Sequence, residues 1–164
     1  MGKKAHPITP AIRTLRKEKV PFSVHLYNYE DKGGALQAAA ALSLEAESVI
    51  KTLVFQDENK HCFLVLMHGN LQVSAKQLAR QLRCKQATPC DHKQATKLTG
   101  YKVGGISPFG SRTSLPVYVE ASVFDRGAIY INGGKRGLLV QIDPACLKAV
   151  LKAKPVKVAL PRQP

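Results

Sequence analysis

Apolar and polar positions along this chain switch repeatedly between a two-residue period and a helical period. "FSVHLYNY" (22–29) places Phe22, Val24 and Leu26 on one side and Ser23, His25 and Tyr27 on the other, the signature of a half-buried strand. "SVIKTLVFQDENKHCFLVLM" (48–67) predicts a hairpin, two apolar strands around "QDENK". "PVYVEAS" (116–122), "AIYIN" (128–132) and "LLVQI" (138–142) read as further strands. "VFDRG" is a turn between the first two of these, and "VKVAL" (156–160) adds a last strand.

Five helices interrupt them. "TPAIRTLRKEK" (9–19) opens with Thr9 as N-cap and Pro10 at the first helical position, and Pro21 stops it. "ALQAAAALSL" (35–44) is alanine-rich, with high intrinsic propensity. "SAKQLARQLRC" (74–84) is capped by Ser74 and sets Leu78 and Leu82 one turn apart. "DHKQATKLTG" (91–100) starts at Asp91 and ends at Gly100, and "PACLKAVLK" (144–152) follows Asp143. Helices and strands mix irregularly and two strand pairs look like hairpins. The order predicts an α+β single domain with a mixed, largely antiparallel, curved sheet and flanking helices. With 164 residues the chain can bury a core of its own. "MGKKAHPI" (1–8) is expected to be a flexible extension, leaving 9–160 as the domain.

Charge narrows the partner. The formal charge is +14, carried as +2 over residues 1–60 and +12 over 61–164. Such an excess points to a polyanion, nucleic acid first. A membrane is disfavoured: no apolar run approaches the roughly 20 residues of a spanning helix, and no basic amphipathic helix carries bulky aromatics. The N-terminus has no apolar core of a signal peptide, so a cytoplasmic location is expected. Cys62, Cys84, Cys90 and Cys146 form no C-x-x-C pair, which argues against zinc and for reduced thiols. No metal and no cofactor are called for. The chain has no G-x-S-x-G, no H-E-x-x-H and no Walker loop.

Three features remain. Lys51 alternates onto the same side as Leu53 and Phe55. Either it lies at the exposed start of its strand, or it lines a cleft where an anion meets it. "GYKVGGISPFG" (100–110) is rich in bare backbone, and within it Gly104, Gly105, Ile106, Ser107 and Pro108 form a loop whose N–H groups can hold an oxyanion. "NGGKRG" (132–137) reads as an Asn-Gly hairpin turn that displays Lys135 and Arg136.

"PFSVHLY", "KTLVF", "TGYKVGGISPFG" and "IYINGGKRGL" together resemble the YbaK family of aminoacyl-tRNA editing proteins, relatives of the editing domain inserted in bacterial prolyl-tRNA synthetases. The likeness runs from "TPAIRTL" to about Val158 and is closest to the free-standing Cys-tRNA(Pro) deacylases. It implies trans-editing: cleavage of the ester of Cys-tRNA(Pro), or of Cys-tRNA(Cys), with the substrate's own thiol attacking the carbonyl. It implies Lys51 as the cation near the 3′-terminal phosphate or ribose, and Gly104 to Pro108 as the catalytic loop. It also implies Tyr27 at the pocket edge and Gly133, Gly134 and Lys135 framing the other wall. The implied partners are the acceptor end of an aminoacyl-tRNA and prolyl-tRNA synthetase. Two alternatives stay open: a deacylase for Ala-tRNA(Pro) or another small residue, and a non-catalytic binding module. Relatives often carry an acidic pair where this chain has Leu36 and Gln37, which bears on pocket specificity.

Overall fold

The computed structural model describes residues 5–161; the first four residues of the extension expected over 1–8 lie outside them. Helix α1 (Pro10–Lys17) begins where its capping residues place it, with Thr9 Oγ1 accepting from Ile12 N–H at 3.1 Å. Strand β1 (Ser23–Leu26) and helix α2 (Gly34–Ala41) follow. The hairpin is β2 (Val49–Asp57) and β3 (Cys62–His68), paired from Ile50↔His68 to Gln56↔Cys62. After β4 (Leu71–Val73) come α3 (Ala75–Leu82), β5 (Ala87–Pro89) and α4 (His92–Thr99). Ser74 and Asp91 cap the two helices through side-chain bonds to Gln77 N–H and Gln94 N–H. Then come β6 (Val117–Glu120), β7 (Ile129–Lys135), β8 (Leu138–Ile142), α5 (Ala145–Leu151), β9 (Lys154–Val156) and β10 (Ala159–Pro161).

The main sheet is mixed and open, in the order β1-β8-β7-β2-β3-β6-β9, with β5 also beside β2. The pairs β1–β8, β7–β8, β2–β3 and β2–β5 are antiparallel, whereas β2–β7, β3–β6 and β6–β9 are parallel. The expected α+β class and mixed sheet are what the chain adopts. Alternation along β2 sorts the two faces. Ile50 and Val54 join Ile131, Val140 and Leu66 in a core covered by Ile12 and Leu15 of α1 and Leu147 of α5. Val49 packs on the other face against Ala38 and Ala39 of α2, and Phe55 packs there against Leu78 and Ala79 of α3. Lys51 lies on that second face, between the places where the two helices sit.

Three elements differ from the periodicity. "VKVAL" is not one strand: β9 pairs with β6, and the chain then bends so that β10 pairs with β4. The bend is fixed by the buried Glu120, whose Oε1 accepts from Val158 N–H at 2.6 Å and Ala159 N–H at 2.8 Å. Glu120→Ala should lower stability by about 1–3 kcal/mol, the cost of stranding buried donors. Urea unfolding measures it, and an unchanged midpoint would show that those N–H groups find other acceptors. The expected turn "VFDRG" falls in a 3-10 turn over Ala121–Asp125, and the strands that flank it do not pair. Nor is Asn132-Gly133 the hairpin turn. Strand β7 runs on through it with a bulge, Asn132 Oδ1 accepting from the N–H groups of Gly134 and Lys135 at 2.7 and 3.2 Å. The turn lies at Arg136 and Gly137, inside the Lys135↔Leu138 pair, with Gly137 supplying the positive φ of 82°.

Candidate functional site

Strand β2 is fully paired with β3 on one edge but not on the other. There it meets β7 only at Val49 and Ile50, and β5 only from Phe55 to Asp57. Between them, at Lys51, Thr52 and Leu53, the sheet has a notch. A pocket of about 440 Å³ opens at this place. Its lining includes Tyr27 and Tyr29 from the segment after β1, Lys51 to Leu53 from β2, and His92 from the start of α4. Val103, Gly104 and Ile106 of the glycine-rich loop and Asn132 and Arg136 of the β7–β8 hairpin also line it. Lys51 is partly buried and lines this cleft.

The loop over 100–110 is held from several sides. Tyr101 Oη donates to Phe109 O at 2.6 Å, closing the loop on itself, and Gly105 N–H donates to Lys102 O at 2.8 Å. Burial pushes the Tyr101 phenol up to about 12, so it stays a donor at any ordinary pH. Ser107 is fully buried, and its Oγ accepts from Phe109 N–H at 3.1 Å. A Cβ on Gly105 would lie 2.8 Å from Arg136 N and 3.0 Å from Lys135 C, so the loop backbone rests directly on the hairpin backbone. A Cβ on Gly104, where φ is +93°, would lie 2.5 Å from Tyr29 Oη. Bare backbone is needed here to let the loop fit between a tyrosine and a turn.

The residues singled out from sequence divide into three groups. Tyr27, Lys51, Gly104 and Ile106 line the pocket. Gly105, Ser107 and Pro108 are buried behind it and shape the loop. Gly133, Gly134 and Lys135 are outside the lining: Gly133 O accepts from Thr9 Oγ1 at 2.5 Å, Gly134 packs on Tyr101, and Lys135 is exposed. Burial raises the Tyr27 phenol above its usual range, opposed in part by the backbone of Gly137.

Several lining residues carried no signal in the periodicity. Arg136 is exposed at the hairpin tip, and it also reaches the loop: its Nε donates to Val103 O at 2.9 Å and its guanidinium lies 5.1 Å over the Tyr29 ring. Asn132 Nδ2 donates to Gly104 O at 3.0 Å. On α2 it is Gly34, Ala35 and Ala38 that face the pocket. Leu36 is exposed, and Gln37 turns to the loop before it, donating to Asn28 O at 3.0 Å. The two positions that depart from the family pattern are thus outside the lining, and small residues beside them set its width. Lys32, Lys51 and Arg136 bring three cations to the pocket against one carboxylate, Asp31. That balance suits an anionic ligand end, while Ala35, Ala38, Val49 and Leu139 suit a small uncharged group.

The chain is similar to several known proteins. A family model described as the aminoacyl-tRNA editing domain matches residues 30–150. An Enterococcus faecalis protein named "Putative Cys-tRNA(Pro)/Cys-tRNA(Cys) deacylase EbsC" is 29% identical over 146 residues, covering 88% of this chain and 89% of its own. A proline--tRNA ligase of Limosilactobacillus fermentum is 27% identical over 88 residues, 51% of this chain and 15% of the ligase. A solved structure described as a "putative trans-editing enzyme for prolyl tRNA synthetase" superposes with a TM-score of 0.79 at 23% identity, covering 94% of this chain and 99% of that one.

Proposed function

Because the chain belongs to the aminoacyl-tRNA editing domain family, we propose that it is a trans-editing deacylase whose substrate is cysteine esterified to the 3′ end of proline tRNA. The observation that carries this reading is a pocket that joins a cation, Lys51, to a glycine loop; among the described residues its lining holds no cysteine or serine, and Oγ1 of its one threonine, Thr52, is buried from solvent. Cys62, Cys84, Cys90 and Cys146 all lie outside that lining. Burial also pushes Cys90 up to about 12 and Cys146 up to about 11, far from the range of a nucleophilic thiolate. In this reading the attacking group is the thiol of the substrate's own cysteine.

In this mechanism the cysteinyl sulfur attacks the ester carbonyl carbon. The C–S bond forms and the C–O bond to the ribose breaks. The thiol proton ends on the ribose hydroxyl, giving a cyclic thiolactone and free tRNA, and water then opens the thiolactone to cysteine. The protein's part is positioning and charge. Lys51 meets the terminal phosphate or ribose, and loop N–H groups stabilise the oxyanion that develops on the carbonyl. Ala35 and Ala38 leave room for a side chain of cysteine size. The basic charge of residues 61–164 draws the tRNA in. The protein would act beside prolyl-tRNA synthetase, which supplies selection of the tRNA.

The test is deacylation of Cys-tRNA(Pro), Ala-tRNA(Pro) and Pro-tRNA(Pro) side by side. Selective loss of cysteine is the expected result. Preferential loss of alanine would overturn the substrate, and no turnover of any ester would leave a binding module. A variant with all four cysteines replaced by serine should keep cysteine turnover within about threefold once its fold is confirmed by circular dichroism. If one substitution stopped turnover in a folded protein, the substrate would not be supplying the nucleophile.

A further inference from the structure

Two side chains of the β7–β8 hairpin reach consecutive carbonyls of the glycine loop. Arg136 Nε donates to Val103 O at 2.9 Å, and Asn132 Nδ2 donates to Gly104 O at 3.0 Å. A trans peptide is planar, and its C=O and N–H point in opposite directions. Holding a carbonyl therefore aims the N–H on the far side of the same plane. The plane between Gly104 and Gly105 is fixed at both ends, since Gly105 N–H is also held by Lys102 O at 2.8 Å. The plane between Val103 and Gly104 is fixed only at its carbonyl, by Arg136. Its other end, Gly104 N–H, makes no hydrogen bond among the described residues, and Gly104 lines the pocket.

We propose that Asn132 and Arg136 are positioning residues for the reaction, together setting the loop so that Gly104 N–H faces the ester carbonyl oxygen of the bound aminoacyl end. The inference rests on the deacylase reading above and adds the residues that orient its oxyanion donor. Arg136 suits the task because its planar guanidinium can donate through Nε while its face rests on an aromatic ring. Here that ring is Tyr29, which itself packs against Gly104. One side chain thus fixes the loop and the tyrosine opposite it. Arg136 and Asn132 are held by the bulge and turn of the hairpin, where Asn132 Oδ1 binds Gly134 N–H and Lys135 N–H. Their aim is set by the sheet and not by the loop they hold. Because the guanidinium is largely exposed, its bond adds little to stability, and substitution should leave the fold in place.

The experiment compares wild type, Arg136→Lys, Asn132→Ala and the double variant in deacylation of Cys-tRNA(Pro) at saturating substrate. It adds the amide resonances of Gly104 and Gly105 in nitrogen-15 spectra. Each single variant should lose about 10- to 100-fold in kcat with KM within about threefold, the pattern of an interaction made in the transition state. The double variant should lose less than the product of the two, because both act on one loop. Arg136→Lys keeps the charge, so a residue that served only to attract RNA would show unchanged kcat. Unchanged kcat in both variants, or a change confined to KM, would overturn the proposal. Gly104 and Gly105 resonances that do not move would overturn it as well. A wild type that cleaves no ester would sink the deacylase reading instead, and the same two resonances would still decide whether the side chains hold the loop.

Discussion

Lys51→Ala is expected to lower deacylation of Cys-tRNA(Pro) by a factor of about 10² to 10³ and to leave the protein folded. Lys51 is the cation set furthest into the notch, on the strand whose pairing is interrupted there. Neighbouring β2 residues anchor the strand: Ile50 and Val54 on one face, Val49 and Phe55 on the other, all nearly or fully buried. The strand therefore does not depend on the lysine. What is lost is a positive charge where the terminal phosphate or ribose of the tRNA would lie, and removing such a preorganised contact typically costs a few kcal/mol of transition-state stabilisation. Single-turnover deacylation gives the rate, and thermal melting gives the stability. A folded variant with near-normal turnover would take Lys51 out of the chemistry, and with it the strongest assignment made from sequence.

The second large effect is expected from Gly105→Ala. Here the cause is steric. A methyl group at this position would sit 2.8 Å from Arg136 N and 3.0 Å from Lys135 C. Both are backbone atoms of the hairpin and neither can rotate away. The loop must lift from the hairpin, and the bonds from Asn132 and Arg136 to its carbonyls must lengthen or break. Overpacking of this kind costs about 1–3 kcal/mol, and activity should fall more than stability if the displaced segment carries the oxyanion donor proposed above. Urea unfolding and deacylation on the same preparation separate the two. Full activity in the variant would mean that the loop need not rest on the hairpin for the reaction.

How much of the fold is legible in the sequence depends on the range of the interactions involved. Thr9, Ser74 and Asp91 each mark a helix start through a bond to a residue three positions on, and all three helices begin there. The long strands β2 and β3 were visible because burial on both faces gives them long apolar stretches, Leu53 to Phe55 in β2 and Cys62 to Met67 in β3. Strands β4 and β5 were not, since three residues cannot display a period and each pairs only with a distant partner: β4 with β10 and β5 with β2. Asn132-Gly133 carries a turn signal by local chemistry, but the asparagine serves a bulge and the turn falls on Gly137. The same contrast runs through the site. Lys51 and the glycine loop stood out because each is unusual within its own stretch. Tyr29, Asn132, Arg136, Ala35 and Ala38 are ordinary residues that acquire a role only once β1, α2 and the hairpin are brought to one edge of β2.

The position of β1 has a consequence for how the molecule comes into being. Strand β1 pairs in the main sheet with β8, Ser23 opposite Gln141 and Leu26 opposite Leu138. More than a hundred residues of chain separate the partners, and the pocket wall that carries Tyr27 and Tyr29 follows directly from β1. During synthesis residues 23–26 emerge before their partner and must wait, unpaired with it, until residues 138–142 have left the ribosome. Pairings of such long sequence separation form slowly because closing the intervening loop is entropically unfavourable. A nascent chain lacking its last strands would hold Lys51 and the glycine loop but not the wall opposite them. The pocket wall that follows β1 can therefore be fixed in the sheet only once residues 138–142 have been made.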